Sequence, residues 1–568
     1  MLDKKERTLQ ATIVRMTARD GLPFKPFVTS PDLRKCLMAL GFGNLPTSSE
    51  TLKQMVMNEG RNVRCFVMTE LAKKKSEGQR FSLTMDEWTS GRNRRYMNIN
   101  VHEKGGVFWS LGLVRTHGSM PAEKCVSLID VKLNEFWLSL AADIVCIVTD
   151  GASVTVKVGK LVDTEQQLCY AHAVQLAVLD VLYRRREVTP VVSAQLESDA
   201  TECEDNSDGE AAEADEVVGD QRMEVVDDDY DVLVQMSTEY HNVVQKVRKV
   251  VKLSKRLPAR NDTLLQPYVK QEFAREISLL LDCKTRWNSL VDMLSHFLQL
   301  RGPAQKALID LGQASLIDDG DFSVLQEMVS CLEPLKLAVT ALCRRDTNLM
   351  SGEAALNFCL VNLQKQSSEL AKTLADVLGT RIQQRRKVHA AVLQYLHSNT
   401  ARQTATDVFL IPSNDTIRKF IRKLISRLEI SPTTSDCTSD SSSSTEETTS
   451  SQSQQEAPDE EPSMQQQLEM TMRQSVAPAA QCHSSSSQDA DKKLDAAIKT
   501  EMSVFNSSGR RGRCLEQAYQ YLLSIPPTSV EAECAFSTAG VLCTKLRSRL
   551  DDRTLDTLCF LRSYYKRD

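Results

Sequence analysis

The chain of 568 residues lacks any run of eighteen consecutive apolar residues, so nothing in it reads as a membrane-spanning helix. Its opening, Met1-Leu-Asp-Lys-Lys5, carries charge where a secretory leader would place its apolar stretch, and secretion is not expected. The 16 cysteines are scattered singly with no C-x-x-C spacing, which argues against a disulfide framework and for free thiols in a reducing compartment. Residues 1 to 80 contain only Cys36 and Cys65 and no histidine, so no zinc finger can be assembled there.

What the chain does have is apolar content of 41%, enough for two or three packed cores. Its net charge of -5 hides an asymmetry. From Glu197 to Asp231 there are sixteen acidic residues and one basic residue, Arg222, a local charge of -15 that leaves about +10 on the rest. A basic body suits a polyanionic partner, and it equally suits solvated lysine faces.

Two stretches lack the apolar residues needed to offset their chain entropy: the acidic Leu196 to Asp229, and a Ser/Thr/Gln/Glu tract from Ile430 to about Asp491. Both are expected to be disordered. The resulting plan is an N-terminal helical region (1–78), the first part of an α/β core (79–195), an acidic insertion (196–230), a helical insertion (231–429), a Ser/Gln-rich linker (430–491) and a last core helix with a C-terminal segment (492–568).

Within the first block, Thr47 and Glu50 form a candidate capping box opening a helix toward Lys73–Lys75. Phe81–Met85, Met97–Val101 and Val107–Val114 read as three short strands. Pro121 suits a helix start, and Val126, Ile129, Leu133, Phe136, Trp137 and Leu140 recur at helical spacing. Ile144–Thr149 is a continuous apolar run typical of a strand buried on both faces. Three strands, a helix and a buried strand are the order of an RNase H-like core. The block after residue 231 reads as helical, with Val243, Val244, Val247, Val250 and Val251 forming one stripe. In the last block, Leu546, Leu550, Leu555, Leu558 and Leu561 make an apolar face that so short a segment can hardly cover, so a partner surface is expected.

In that core, Asp86 after the first strand and Asp150 after the buried strand would meet at one sheet edge. Two close carboxylates repel unless a cation lies between them, and oxygen ligands with open positions suit Mg²⁺ or Mn²⁺ acting on a phosphodiester. Each aspartate taken alone also fits a turn or cap. Of the late acids, Glu531 falls at the N3 position of a helix capped by Thr528, whereas Glu533, about 200° further round, is free to turn toward the sheet.

Ser529-Val-Glu-Ala-Glu-Cys-Ala-Phe-Ser-Thr-Ala-Gly540, followed by Lys545-Leu-Arg-Ser-Arg-Leu550, resembles the C-terminal signature of hAT transposases and of host proteins derived from them. Thr84-Met-Asp-Glu-Trp-Thr-Ser90, Val148-Thr-Asp-Gly-Ala-Ser153, Cys169-Tyr-Ala-His172 and Thr285-Arg-Trp-Asn-Ser289 match in the family's order. The resemblance implies a DDE triad on Asp86, Asp150 and Glu533 with a helical insertion before the third acid. It places His172 near the reacting phosphate, and Arg286 and Trp287 at distorted DNA. It also implies homo-oligomerisation through the C-terminal segment, with Phe536 and the leucines Leu546, Leu550, Leu555, Leu558 and Leu561 as the contact face. The chain departs from the family in showing no BED-type finger in residues 1 to 80, either through truncation or through loss, and in carrying Gln175 where the family has asparagine. The expected functions are a nuclear, Mg²⁺- or Mn²⁺-dependent DNA nuclease and strand-transferase, or a non-catalytic dimerising scaffold or transcription-associated regulator. An RNA-directed enzyme is the third expectation. Arg184–Arg186 and Arg385–Lys387 are basic clusters compatible with nuclear import.

Overall fold

The structure, a computed structural model, describes residues 9–90, 93–185, 234–236, 238–256, 261–282, 287–428, 464, 490–532 and 550–567. The acidic segment lies outside the described residues. So does the Ser/Gln tract, apart from Met464 and the first residues of the helix that follows.

The N-terminal elements are α1 (Leu9–Ala18), α2 (Phe24–Thr29), α3 (Pro31–Ala39) and α4 (Ser49–Ser76). The cap of α4 is Ser48 rather than Thr47: its hydroxyl accepts from the Thr51 N–H at 3.1 Å. Glu50 in the first turn and Lys73, Lys74 and Lys75 in the last complement the helix dipole.

A five-stranded mixed sheet follows, made of β1 (Phe81–Thr89), β2 (Arg95–His102), β3 (Phe108–Thr116), β4 (Ile144–Thr149) and β5 (Glu165–Leu168) in the order β3-β2-β1-β4-β5. β1, β2 and β3 pair antiparallel, whereas β4 and β5 run parallel to β1. The parallel partner is reached through α5 (Ala122–Asn134) and α6 (Leu140–Asp143), and α7 (Ser153–Leu161) and α8 (Tyr170–Leu182) flank β5. α5 stops before the apolar spacing does. Trp137 takes a left-handed conformation (φ 58) and stands 59% exposed, a correction to its expected place on the helical face.

The first three strands alternate. Leu83, Met85, Ile99, Val101, Leu111 and Leu113 enter a core with α4 and α5, while Ser82, Thr84, Asn98, Asn100 and His102 lie between them as buried polar groups. β4 is buried at every position, as its unbroken apolar run requires, and it serves two cores. Ile144 and Ile147 belong with the first, and Val145, Cys146 and Val148 with a second that includes α8 and the helical insertion.

That insertion comprises α9 (Thr238–Arg256), α10 (Gln266–Phe273), α11 (Trp287–Gln299), α12 (Arg301–Asp310), α13 (Asp319–Leu342), α14 (Leu349–Gln364), α15 (Glu369–Arg385), α16 (Val388–His397), α17 (Ala401–Thr404) and α18 (Asn414–Leu428). The valine stripe of α9 is buried, as expected. After the Ser/Gln tract, α19 (Ala490–Ser508) and α20 (Arg513–Leu522) pack on α18 and α16 in the same core. The chain ends in α21 (Asp552–Tyr565), capped by Asp551, whose carboxylate accepts from the Thr554 N–H at 2.8 Å.

Guanidinium groups tie the helical insertion to the sheet. Arg80 donates to the Leu428 carbonyl at the end of α18 at 3.1 and 2.8 Å, and Arg427 reaches the carbonyls of Ala141, Ile144 and Val145 at 2.9, 2.7 and 3.0 Å. Each such charged hydrogen bond contributes about 1.5–3 kcal/mol and satisfies a carbonyl at an element end. At the β2–β3 turn Gly106 (φ 82) lies directly against the Arg345 backbone, where no side chain fits.

Candidate active site at the parallel strand ends

β1, β4 and β5 all point their C-terminal ends to one edge, the place where open sheets with parallel strands present loops to ligands. Thr84 pairs with Val148, the last residue pair of the β1–β4 ladder, and Asp86 and Asp150 each follow two residues later. Continuing that register puts the two aspartates opposite one another on strands about 4.8 Å apart. The structure therefore brings these two predicted residues to neighbouring strands, but β1 runs on to Thr89, so Asp86 lies within it, opposite Asn98 of β2, and not after its end as expected.

Both carboxylates are half-buried. Asp86 Oδ1 accepts from the Glu87 N–H at 2.8 Å. Asp150 Oδ1 accepts from the Ala152 N–H at 3.0 Å and the Thr155 hydroxyl at 2.9 Å, so it also braces the turn that leads into α7. Gly151 between them has φ 103, a conformation suited to glycine.

The third strand end carries Cys169 and His172. Cys169 is fully buried at the N-cap position of α8, and its N–H donates to the Thr149 carbonyl at 2.7 Å, locking the α8 start to the end of β4. His172, half-buried, lies in the first turn of α8. The Tyr170 N–H donates to the Pro527 carbonyl at 2.9 Å, which ties this edge to the segment leading toward Glu533.

Sequence reasoning missed Arg385 here. It was grouped with Arg386 and Lys387 as a surface cluster, yet only 7% of it is exposed, and its Nη1 donates to the Asp150 carbonyl at 2.6 Å and the Cys169 carbonyl at 3.3 Å. Its guanidinium rests on Gly151, where a Cβ would sit 3.1 Å from Nη1. Arg386 is buried as well, donating to Glu353 Oε1 at 2.8 Å. Two of the three residues are thus engaged inside the fold, which corrects their reading as an exposed import signal. No local pattern marks Arg385, because its partners lie 235 and 216 residues away.

The other predicted residues separate. Glu533, Arg286, Phe536 and Leu546 lie outside the described residues. Trp287 begins α11 and is packed in the helical core, 8% exposed, so its ring offers no open face for stacking on DNA. Glu531 does not close a capping box on Thr528. Residues 530–532 are helical, and the Glu531 carboxylate accepts from Arg345 Nε at 3.3 Å. Burial pushes its pKa up, against the opposing pull of Arg345. Leu555, Leu558 and Leu561 are buried against their own chain, in the core shared with α4 and β3, and Leu550 packs at its margin. The described part of the apolar face expected to need a partner, from Leu550 to Leu561, is covered within the chain. Among the described residues, no three His, Cys, Asp or Glu side chains are grouped to hold a metal ion.

Comparison with known proteins adds two segment matches. Residues 230–315 match the ZBED1 RNase-like helical domain, and residues 507–565 match the hAT family C-terminal dimerisation region. The chain is of hAT-transposase descent. A curated relative, "Putative transcriptional regulator tpeD" of Talaromyces stipitatus, is 22% identical over 325 residues, which is 54% of this chain. The match spans 34% of that protein's length, so the chain covers about a third of it. The helical-domain match lies in the helical insertion, and the dimerisation match runs from the end of α19 through α21. No helix among the described residues is long and apolar enough to cross a membrane.

Proposed function

We propose that this hAT-derived chain forms homodimers, binds DNA in the nucleus and cuts and joins phosphodiesters at the strand-end aspartates of an RNase H-like core. The single observation that carries this reading is the register of β1 and β4, which continues from Thr84 and Val148 to Asp86 within β1 and Asp150 just after β4. The sheet order and the crossover into β4 are those of the expected core. The route to the third acid supports it too. With the Asn100 amide oriented to satisfy both of its groups, its oxygen accepts from the Ala532 N–H at 3.2 Å, and Asn100 pairs with Thr84, two residues before Asp86 on the same face. Ala532 immediately precedes Glu533.

The donor set fits Mg²⁺ or Mn²⁺: hard carboxylate oxygens at a half-buried edge, with Asp86, Asp150 and Glu533 as the ligands. Bound there, such ions would polarise the scissile phosphate and stabilise the leaving oxygen. Asp86 and Asp150 would supply ligand oxygens from neighbouring strands in register. Arg385 fixes the backbone beneath Asp150, and His172 stands in the adjoining helix turn as a proton-transfer group.

The test uses the purified full chain with Mg²⁺ or Mn²⁺ and a labelled duplex. Nicking or end joining is expected, and Asp150→Asn should reduce it to background. Asparagine retains an oxygen that can accept from Ala152 and Thr155, so the turn into α7 keeps its bonds while the charge is lost. Equal rates for the two proteins would remove the catalytic reading. A second reading, a dimerising transcription-associated regulator, is favoured by one observation: Asp150 already has a structural task in bracing the turn into α7. The name of the fungal relative points the same way.

A further inference from the structure

The helix α18 is strongly amphipathic. Ile417, Phe420, Ile421, Leu424, Ile425 and Leu428 are buried, and the outer side carries Arg418, Lys419, Arg422, Lys423 and Arg427 against one acid, Asp415. Arg427 is used internally, on the carbonyls at the start of β4. α19 packs beside α18 and presents Asp495 to it, 3.4 Å from Arg418 and 3.7 Å from Arg422. Lys492 and Lys499, three residues before and four after Asp495, lie on the same stripe of α19 and are exposed.

This surface therefore gathers six cations, Arg418, Lys419, Arg422, Lys423, Lys492 and Lys499. Three carboxylates balance them, with Asp415 paired to Lys419 and Glu165 to Lys423. Among the described side chains of α19 the other acid, Glu501, is turned inward, accepting from the Cys514 and Leu515 N–H groups at 3.2 and 3.0 Å to cap α20. Among the described side chains this leaves a local excess of three positive charges, on a body that is itself basic once the acidic segment is set aside. The acids present are shared between arginines, paired to lysines or spent on a helix end.

We infer that α18 and α19 form a sequence-independent site for the phosphate backbone of duplex DNA, separate from the strand-end site. This rests on the DNA-acting reading above. The chemistry is that of phosphate contacts alone: flexible lysines and two arginines along about 10 Å of helix, with no exposed aromatic or amide among them to read a base. Its position gives it a purpose. Arg427 anchors α18 at the N-terminal end of β4, and Asp150 follows the C-terminal end, so the two sites are about 20 Å apart along that strand. DNA engaged at the strand ends would be held again some six base pairs away, which fixes its direction without selecting its sequence.

The experiment measures binding of the full chain to a random-sequence 30-base-pair duplex by fluorescence anisotropy over a range of NaCl concentrations, without divalent ions. Wild type is compared with K419A/R422A/K499A and with a charge-matched control, K249A/K252A/K255A, on the exposed lysines of α9. Each phosphate contact contributes about 0.9 to the slope of log K against log salt, so the first triple variant should flatten it by about 2.7, with circular dichroism unchanged. The control should leave the slope within about 0.5 of wild type by the same measure. Equal flattening in both variants would show bulk charge only and overturn the site. So would a wild-type slope in the first variant, while the DNA-acting reading would stand. A wild-type chain that fails to bind the duplex even at low salt would overturn both. Asp150→Asn, which leaves this surface intact, should bind like wild type whether or not cleavage is ever observed.

Discussion

At the scale of single residues, the clearest positions are those whose role is set by strand order. Asp86 and Asp150 could be paired from the sequence because each directly follows an apolar run and parallel neighbours place equivalent ends together. Arg385 and Gly106 could not, because each acts on backbone brought in from a remote segment. Gly106 at the β2–β3 turn touches Arg345, which also donates to Glu531 Oε1 at 3.3 Å and to the Lys566 carbonyl at 3.4 Å. The turn, the helical insertion and the chain end thus meet at one arginine. Gly106→Ala would place a methyl group into the Arg345 carbonyl at a positive φ, so it should destabilise the chain by about 2 kcal/mol, read as a lower urea midpoint. Gly105→Ala, with the same φ and open space around it, should cost about 1 kcal/mol, the conformational part alone. Equal losses would mean that the Arg345 contact adds nothing.

At the scale of elements, amphipathic patterns were legible and their partners were not. The leucine face of α21 was plain in the sequence, but periodicity does not say whether the covering surface belongs to the same chain. α4 and β3 supply it: Asp556 accepts from the Leu113 N–H at 2.7 Å and from Arg64 at 2.7 Å, fixing α21 on the edge strand. Gly60 in α4 gives Thr557 of α21 room to approach. The same limit applied to α5, where Trp137 fitted the spacing. There the helix closes instead through bonds from the Trp137 N–H to the Asn134 carbonyl and from the Leu138 N–H to the Leu133 carbonyl, a Schellman-type end in which tryptophan occupies the usual glycine position. Because Leu558 is fully buried, Leu558→Ala should cost about 2–5 kcal/mol of chain stability. Under native conditions its molar mass by light scattering should match wild type. A stable monomer replacing a wild-type dimer, with an unchanged urea midpoint, would instead put Leu558 in the intermolecular interface.

For the whole molecule, the decisive fact is that the sheet and the helical insertion share buried polar groups as well as apolar ones. His102 on β2 lies 2.9 Å from the Thr84 hydroxyl, and burial lowers its pKa to about 3. His389 in α16 lies 2.9 Å from the side-chain oxygen of Gln167 on β5, and burial lowers its pKa to about 4. Neither was visible in the sequence, since a histidine's environment depends on what packs over it. Unfolded histidine titrates near 6.5, so above that pH both states are neutral and these residues add no pH dependence. Below it the unfolded chain takes up protons that the folded chain refuses, and stability falls by up to about 1.4 kcal/mol per pH unit for each histidine until the folded pKa is reached. The urea-derived stability should therefore be level with respect to these groups above about pH 6.5 and fall between there and about pH 4. His389→Gln, which preserves a polar amide against Gln167, should remove about half of that slope. An unaltered slope in the variant would place the acid sensitivity elsewhere, and a slope that vanished entirely would mean that the junction with the helical insertion, rather than the buried face of the sheet, governs the response of the whole chain.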